Sequence, residues 1–272
     1  GHEFSGRIAA LGTNVSGLAE GDPVVVECIQ SCGICAACRV DNPIGCAERT
    51  ELGVMRRDGA YAEYVTVPAR FVHRLPAELA TDKASLAEPV AVILKGLGRL
   101  QSCLALKPAP WRCAVLGAGP LGHICARILT YQGHDVTAYD QNEKRLSLFD
   151  GTGIQASATL EGLDAFDVLI EITGDPDVLD TALRTSSANA SLLLLGLPYG
   201  EKQFSFEAIA AYDKTIIGSV GSTAADFKAA IELLPALDLN EHLKCQLPLA
   251  EFEDGWQKAR KGDVLKVILH AA

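Results

Sequence analysis

Four cysteines in one short stretch, Cys32, Cys35, Cys38 and Cys46, constrain this chain more than any other feature. Their spacing, C-x2-C-x2-C-x7-C, is too tight for separate disulfides. It suits a tetrahedral zinc with sulfurs about 2.3 Å from the metal. The alternative is a disulfide cluster in a secreted protein, but nothing at the N-terminus resembles a signal peptide. Four thiolates fill every tetrahedral position, so this zinc is expected to hold a lobe at residues 28–48 together and to do no chemistry.

The 272 residues are enough for two domains. Hydrophobic residues at 49% and charged residues at 21% mark a globular chain. The apolar run at Leu192 to Leu195 is far short of the roughly 20 residues that cross a bilayer, so the expectation is a cytoplasmic protein with no membrane partner. A net charge of −10 repels phosphate backbones, and no basic helix follows the cysteines, which argues against a nucleic-acid partner. The other cysteines, Cys28, Cys103, Cys113, Cys125 and Cys245, are scattered and read as small buried hydrophobes.

The first third carries short β-like runs separated by glycine and proline, as in a small antiparallel barrel or sandwich: Arg7 to Leu11, Val24 to Val26, Tyr61 to Val67 and Phe71 to Leu75. After Pro89 the pattern changes. Val90 to Leu100 is apolar at helical spacing, and Lys107-Pro108-Ala109-Pro110 reads as a linker. Beyond it, buried strands at Cys113 to Leu116, Val136 to Tyr139, Phe166 to Ile172, Ser191 to Leu195 and Thr215 to Ser219 alternate with helices. The helices are expected at Leu121 to Tyr131, Asn142 to Phe149, Val178 to Arg184 and Ala224 to Leu234. That alternation predicts a parallel sheet covered on both faces. The β-like pieces at the C-terminus, such as Leu265 to Leu269, are expected to return to the first domain.

Gly117-Ala118-Gly119-Pro120-Leu121-Gly122 follows a predicted strand and opens a predicted helix. Gly117 permits a tight turn, Gly119 lets a pyrophosphate approach the backbone, and Gly122 allows close helix packing. The second strand ends at Asp140, about 20 residues on, where a carboxylate accepts the ribose hydroxyls and repels a 2′-phosphate. NAD is therefore favoured, while Arg145 keeps NADP open as the second choice.

Taken in order, Gly1-His2-Glu3-Phe4-Ser5-Gly6, the cysteine cluster, Gly59 to Val65, Ala87-Glu88-Pro89 and the glycine motif resemble the zinc-dependent medium-chain alcohol dehydrogenases. Glu88-Pro89 resembles the polyol branch, which includes sorbitol and threonine dehydrogenases and the related glucose dehydrogenases. The resemblance implies an α/β fold: a Rossmann doubly wound parallel sheet at residues 91–239, plus a truncated GroES-like β-rich catalytic domain at 1–90 and 240–272. It implies a catalytic zinc with His2 and Glu88 as ligands and Glu3 as a ligand or supporting carboxylate. The nicotinamide would lie against Ile172, Thr173, Leu195, Gly196, Leu197, Gly218, Ser219 and Val220. The implied substrate is a small alcohol or polyol, and the implied assembly a homodimer or homotetramer.

Three departures qualify the match, the least of them Ser187-Ala188-Asn189-Ala190 in place of the glycine-rich turn common before the fifth strand. The family's catalytic cysteine and its proton-relaying hydroxyl precede G-H-E, so the chain reads as lacking an opening segment. His2 is then expected beside a fraying end, with a weakly held or empty catalytic metal and no turnover. Lys95 stands where many polyol-type relatives carry histidine, and reads either as a cofactor or substrate contact or as a solvated helix lysine. Two rival functions are a metal-free NADPH-dependent quinone or enone reductase and a non-catalytic nucleotide-binding module. The cysteine cluster and Glu88-Pro89 argue against the first.

Overall fold

The computed structural model describes residues 1–104, 109–197 and 201–271, so Lys107 and Pro108 of the expected linker lie outside the described residues. Contacts divide the chain into one unit of Gly1–Lys95 with Val220–Ala272 and another of Gly96–Ser219.

In the second unit six strands form a parallel sheet: β1 (Arg112–Leu116), β2 (Asp135–Tyr139), β3 (Gln155–Ser157), β4 (Val168–Glu171), β5 (Ser191–Leu194) and β6 (Thr215–Gly218). Their spatial order, β3-β2-β1-β4-β5-β6, is that of the dinucleotide-binding doubly wound fold, with the direction of winding reversing between β1 and β4. Cys113 to Leu116 and Val168 to Ile170 are wholly buried, which is why these strands read as continuous apolar runs. Leu116 is in register with Tyr139 and Glu171, Glu171 with Leu194, and Leu194 with Gly218. Five strand ends are thus level, and the loops that follow them share one edge. β3 is short and largely exposed, and its Gln-Ala-Ser sequence carries no strand signal.

The first unit holds a three-stranded antiparallel sheet of Ser5–Arg7, Pro23–Val26 and Val72–Arg74. Val26, Leu52 and Phe71 form its core with Phe4, Val65, Val67 and Val72. The alternation at Tyr61 to Val67 predicts a strand, but the structure shows an irregular segment that begins with a bend. Val65 and Val67 face the core while Tyr61 and Tyr64 are exposed, and among the described residues no neighbouring strand supplies a ladder. Cys245–Pro248 and Val267–His270 pair in parallel around the helix Phe252–Lys261. That helix has too few apolar residues to announce itself in the sequence.

The sequence boundaries at 90/91 and 239/240 differ from the contact boundaries. Helix Ala224–Leu233, opened by a Thr223–Asp226 capping box, packs in the first unit and stacks Phe227 on His73 at 5.6 Å. An amphipathic pattern says that one face is buried, not against which core.

Candidate active site

The loop between Gln30 and Thr50 is closed by a two-residue antiparallel ladder, Ile29 opposite Glu51 and Gln30 opposite Thr50. Inside it, Cys35 caps the short helix Ala36–Arg39 and brings its sulfur 3.5 Å from that of Cys38, which lies 3.9 Å from Cys32 Sγ. All four sulfurs lie within 4.8 Å of one another, close to the roughly 3.8 Å separation in a tetrahedron with Zn–S near 2.3 Å. None of the nine cysteines forms a disulfide. The backbone N–H of Cys32 donates to Cys46 Sγ and that of Gly33 to Cys38 Sγ. A hydrogen bond from the Ser31 side chain, reinforced by the Gly33 N–H, pulls the Cys38 thiol down to about 6. Donors aimed at sulfur favour thiolate, the form that binds zinc. The donor set fits a closed structural site.

A second convergence lies elsewhere in the first unit. The ligand atoms of His2, Cys28 and Glu88 lie within 4.8 Å of one another. His2 is not on a fraying end. Ala60 N–H donates to Gly1 O at 2.8 Å, and the chain passes Gly59 so closely that a side chain there would meet Gly1 O at 2.4 Å. Burial, with Lys266 nearby, lowers the His2 pKa and keeps its imidazole neutral, as a metal requires. Glu88 sits in the first turn of helix Ala87–Cys103 and is only 7% exposed. A helix N-terminus lowers a carboxylate pKa modestly, yet burial wins and pushes Glu88 up to about 7. Cys28 follows the buried strand Pro23–Val26, and burial together with the Glu88 carboxylate raises its thiol to about 12. Imidazole, thiol and carboxyl make a donor set suited to a catalytic zinc with one position left open. Cys28 is the residue that sequence reasoning misses. It is buried, as expected, but its neighbours are polar, and no spacing in the chain signals that.

At the level edge of the large sheet, the turn after β1 holds Gly117 at φ +112, and a side chain there would meet Thr173 Cγ2 at 2.8 Å and Ile172 Cγ2 at 3.2 Å. The loops after β4 and β5 touch as well, since a side chain on Gly196 would meet Gly174 N at 2.2 Å. Buried Glu171 binds both loops. Its carboxylate accepts from the N–H groups of Thr173 and Gly174, and its carbonyl accepts from Leu195 and Gly196. Pro120 opens helix Pro120–Tyr131 with no side chain capping its N-terminus. At Gly119 a side chain would approach nothing nearer than Arg145 Nη1 at 3.9 Å, so the space over that turn is open. Asp140 accepts from Ala118 N–H and Asn142 N–H, each at 2.8 Å, with Arg145 Nη1 at 3.5 Å. Arg145 Nε and Ser219 Oγ are buried without hydrogen-bond partners. An open turn, an uncapped helix and orphaned polar atoms fit a dinucleotide. Val220 falls in the other unit, where its carbonyl accepts from Lys95 Nζ at 2.6 Å.

The Glucose dehydrogenase C-terminus model matches residues 81–270, and the Alcohol dehydrogenase GroES-like domain model matches residues 1–77. The chain belongs to the zinc-type medium-chain alcohol and polyol dehydrogenases. It is 28% identical to an L-threonine 3-dehydrogenase of Shewanella sediminis, over 99% of this chain and 82% of the relative. Alcohol dehydrogenase TADH from Thermus sp. ATN1 has the same fold, with TM-score 0.89 and 24% identity over 100% of this chain and 84% of that one. A zinc-binding dehydrogenase candidate from Sinorhizobium meliloti 1021, bound to NADP, gives TM-score 0.82 and 25% identity, covering 93% and 78%. A short chain alcohol dehydrogenase (rspB) from Escherichia coli CFT073, complexed with NADH, gives 0.85 and 23%, covering 98% and 82%. As in this family at large, the dehydrogenase pairs a Rossmann sheet with a GroES-like unit. Of the acidic residues considered as ligands, Glu3 stands apart: its carboxylate is paired with Lys266 Nζ, outside the group of three donors. No helix among the described residues is long and apolar enough to cross a membrane.

Proposed function

We propose that this dehydrogenase oxidises a secondary hydroxyl of a polyol, sugar or amino alcohol by hydride transfer to NAD, with zinc at His2 and Glu88. The observation that carries the reading is the convergence of these two residues, far apart in sequence, with ligand atoms within 4.8 Å, Glu88 buried and His2 partly buried. A zinc bound there supplies Lewis-acid stabilisation of a substrate oxygen, and the nicotinamide supplies the hydride acceptor. The chain's own part is to present a neutral imidazole and a carboxylate side by side in a largely buried site. Glu171 meanwhile fixes the two loops on which the family resemblance lays the nicotinamide. Both oxygens of Asp140 are fastened by backbone N–H groups, so the carboxylate stays at the end of β2 with lone pairs to spare for ribose hydroxyls. That supports NAD over NADP.

The test is nicotinamide absorbance of the zinc-loaded protein against polyols, sugars, simple secondary alcohols and L-threonine, the last because of the relative's name. Zinc-dependent activity with NAD is expected for at least one substrate. No activity with any of them, metal loaded, would reject the reading. Asp140→Asn keeps an acceptor for Ala118 N–H while removing the charge. It is expected to move the NAD-to-NADP ratio of kcat/KM by about tenfold or more toward NADP, as about 1.4 kcal/mol would. An unchanged ratio would remove Asp140 from the specificity argument.

A further inference from the structure

We infer that Cys28 supplies a thiolate to the metal held by His2 and Glu88, making a Cys–His–Glu site whose sulfur comes from the strand that leads into the four-cysteine lobe. The inference rests on the metal-dependent reading above and adds a ligand to it.

Cys28 has two other conceivable roles. It is not a fifth lobe ligand, because Cys32, Cys35, Cys38 and Cys46 already complete a tetrahedral set and Cys28 belongs to the other cluster. Nor are its surroundings those of a packing thiol. At 6% exposure its sulfur shares a buried space with an imidazole and with a carboxyl that is 7% exposed. Among the described residues nothing donates a hydrogen bond to the Glu88 carboxyl, and none engages the His2 ring. Cys28 Sγ donates to Leu52 O at 3.9 Å, a long hydrogen bond. Three ligand atoms within 4.8 Å of one another, on two buried residues and one partly buried one, make a pocket that a cation would satisfy.

The donors also balance in charge and kind. One thiolate, one carboxylate and one neutral imidazole neutralise a divalent ion and leave a fourth position for an oxygen ligand. Sulfur and nitrogen select zinc over magnesium or calcium. The scaffold is firm: Leu52 N–H donates to Cys28 O at 3.0 Å, and Glu27 N–H to Phe71 O at 3.0 Å on the preceding residue. Metal binding here releases the thiol proton, so the site would load better as pH rises.

Cobalt(II) titration of the metal-free full chain, followed in the near ultraviolet where thiolate-to-cobalt charge transfer absorbs, tests this without turnover. Two equivalents are expected, with sulfur charge transfer accompanying both. Cys28→Ser should keep the first equivalent, which shows that the lobe and its fold are intact. It should lose the charge transfer of the second and weaken it by more than the roughly 10–100-fold that outer-shell partners control. A second equivalent without sulfur absorption in the unaltered protein overturns the inference. So does a Cys28→Ser variant that binds it as tightly as before. If, in either case, His2→Gln and Glu88→Gln still abolish the second equivalent, Cys28 is excluded as a ligand while the metal-dependent reading stands. If the unaltered protein takes up one equivalent only, both fall together.

Discussion

Gly122→Ala is expected to abolish dinucleotide binding and to destabilise the parallel-sheet unit by about 3 kcal/mol, the upper end of what overpacking costs. An added Cβ would lie 1.8 Å from Gly117 O and 2.8 Å from Gly117 C. Both are backbone atoms of the turn, so no rotamer change relieves the clash, and helix Pro120–Tyr131 must move off β1. At roughly 2–4 °C per kcal/mol for a domain of this size, the melting transition should fall by about 6 °C or more. The affinity for NAD should fall at least 100-fold, read by calorimetry or by quenching of protein fluorescence. Gly119→Ala is the internal control. Its added methyl meets nothing within 3.8 Å, and its backbone is ordinary extended chain, so stability should change little while cofactor affinity still drops. Equal melting temperatures for Gly122→Ala and the unaltered protein would contradict the packing described.

Cys46→Ser should remove one zinc per chain and unfold the lobe locally. Between residues 31 and 49 the only buried residue is Cys46, so the segment has no hydrophobic core of its own. Arg49 bonds to Ile44 O and to Glu51 at 2.9 Å, and Arg56 to Ala47 O and Arg49 O, but a few part-buried or exposed contacts of this kind contribute little. Structural zinc sites bind with apparent free energies of about 10–16 kcal/mol, and that energy becomes folding energy of the segment it ties. Limited proteolysis should therefore cut the variant within the lobe many times faster than the zinc-loaded protein, while β1 to β6 remain protected. Equal protease resistance with and without zinc would show that the lobe stands without its metal.

The elements that sequence reasoning recovers are those governed by short-range chemistry. The glycine turn is legible because each glycine answers a local steric demand, at Gly117 a positive φ and at Gly122 a backbone contact. The strands of the large sheet are legible because burial on both faces requires an unbroken apolar run, as in Val168–Glu171. Where those demands relax, the signal goes too. β3 is a largely exposed edge, helix Phe252–Lys261 buries little, and the alternating Tyr61 to Val67 segment is irregular.

Two sites whose parts are neighbours along the chain were legible in the sequence alone: four sulfurs on one loop, and an open strand-to-helix turn. Tertiary structure alone decided three things: that Cys28 meets His2 and Glu88, that Glu3 turns to Lys266 instead, and that helix Ala224–Leu233 packs in the first unit. The physical reason is range. Motif spacing records which atoms a few rotatable bonds can bring together, whereas a buried cysteine reads the same whether its distant neighbours are methyl groups or metal donors.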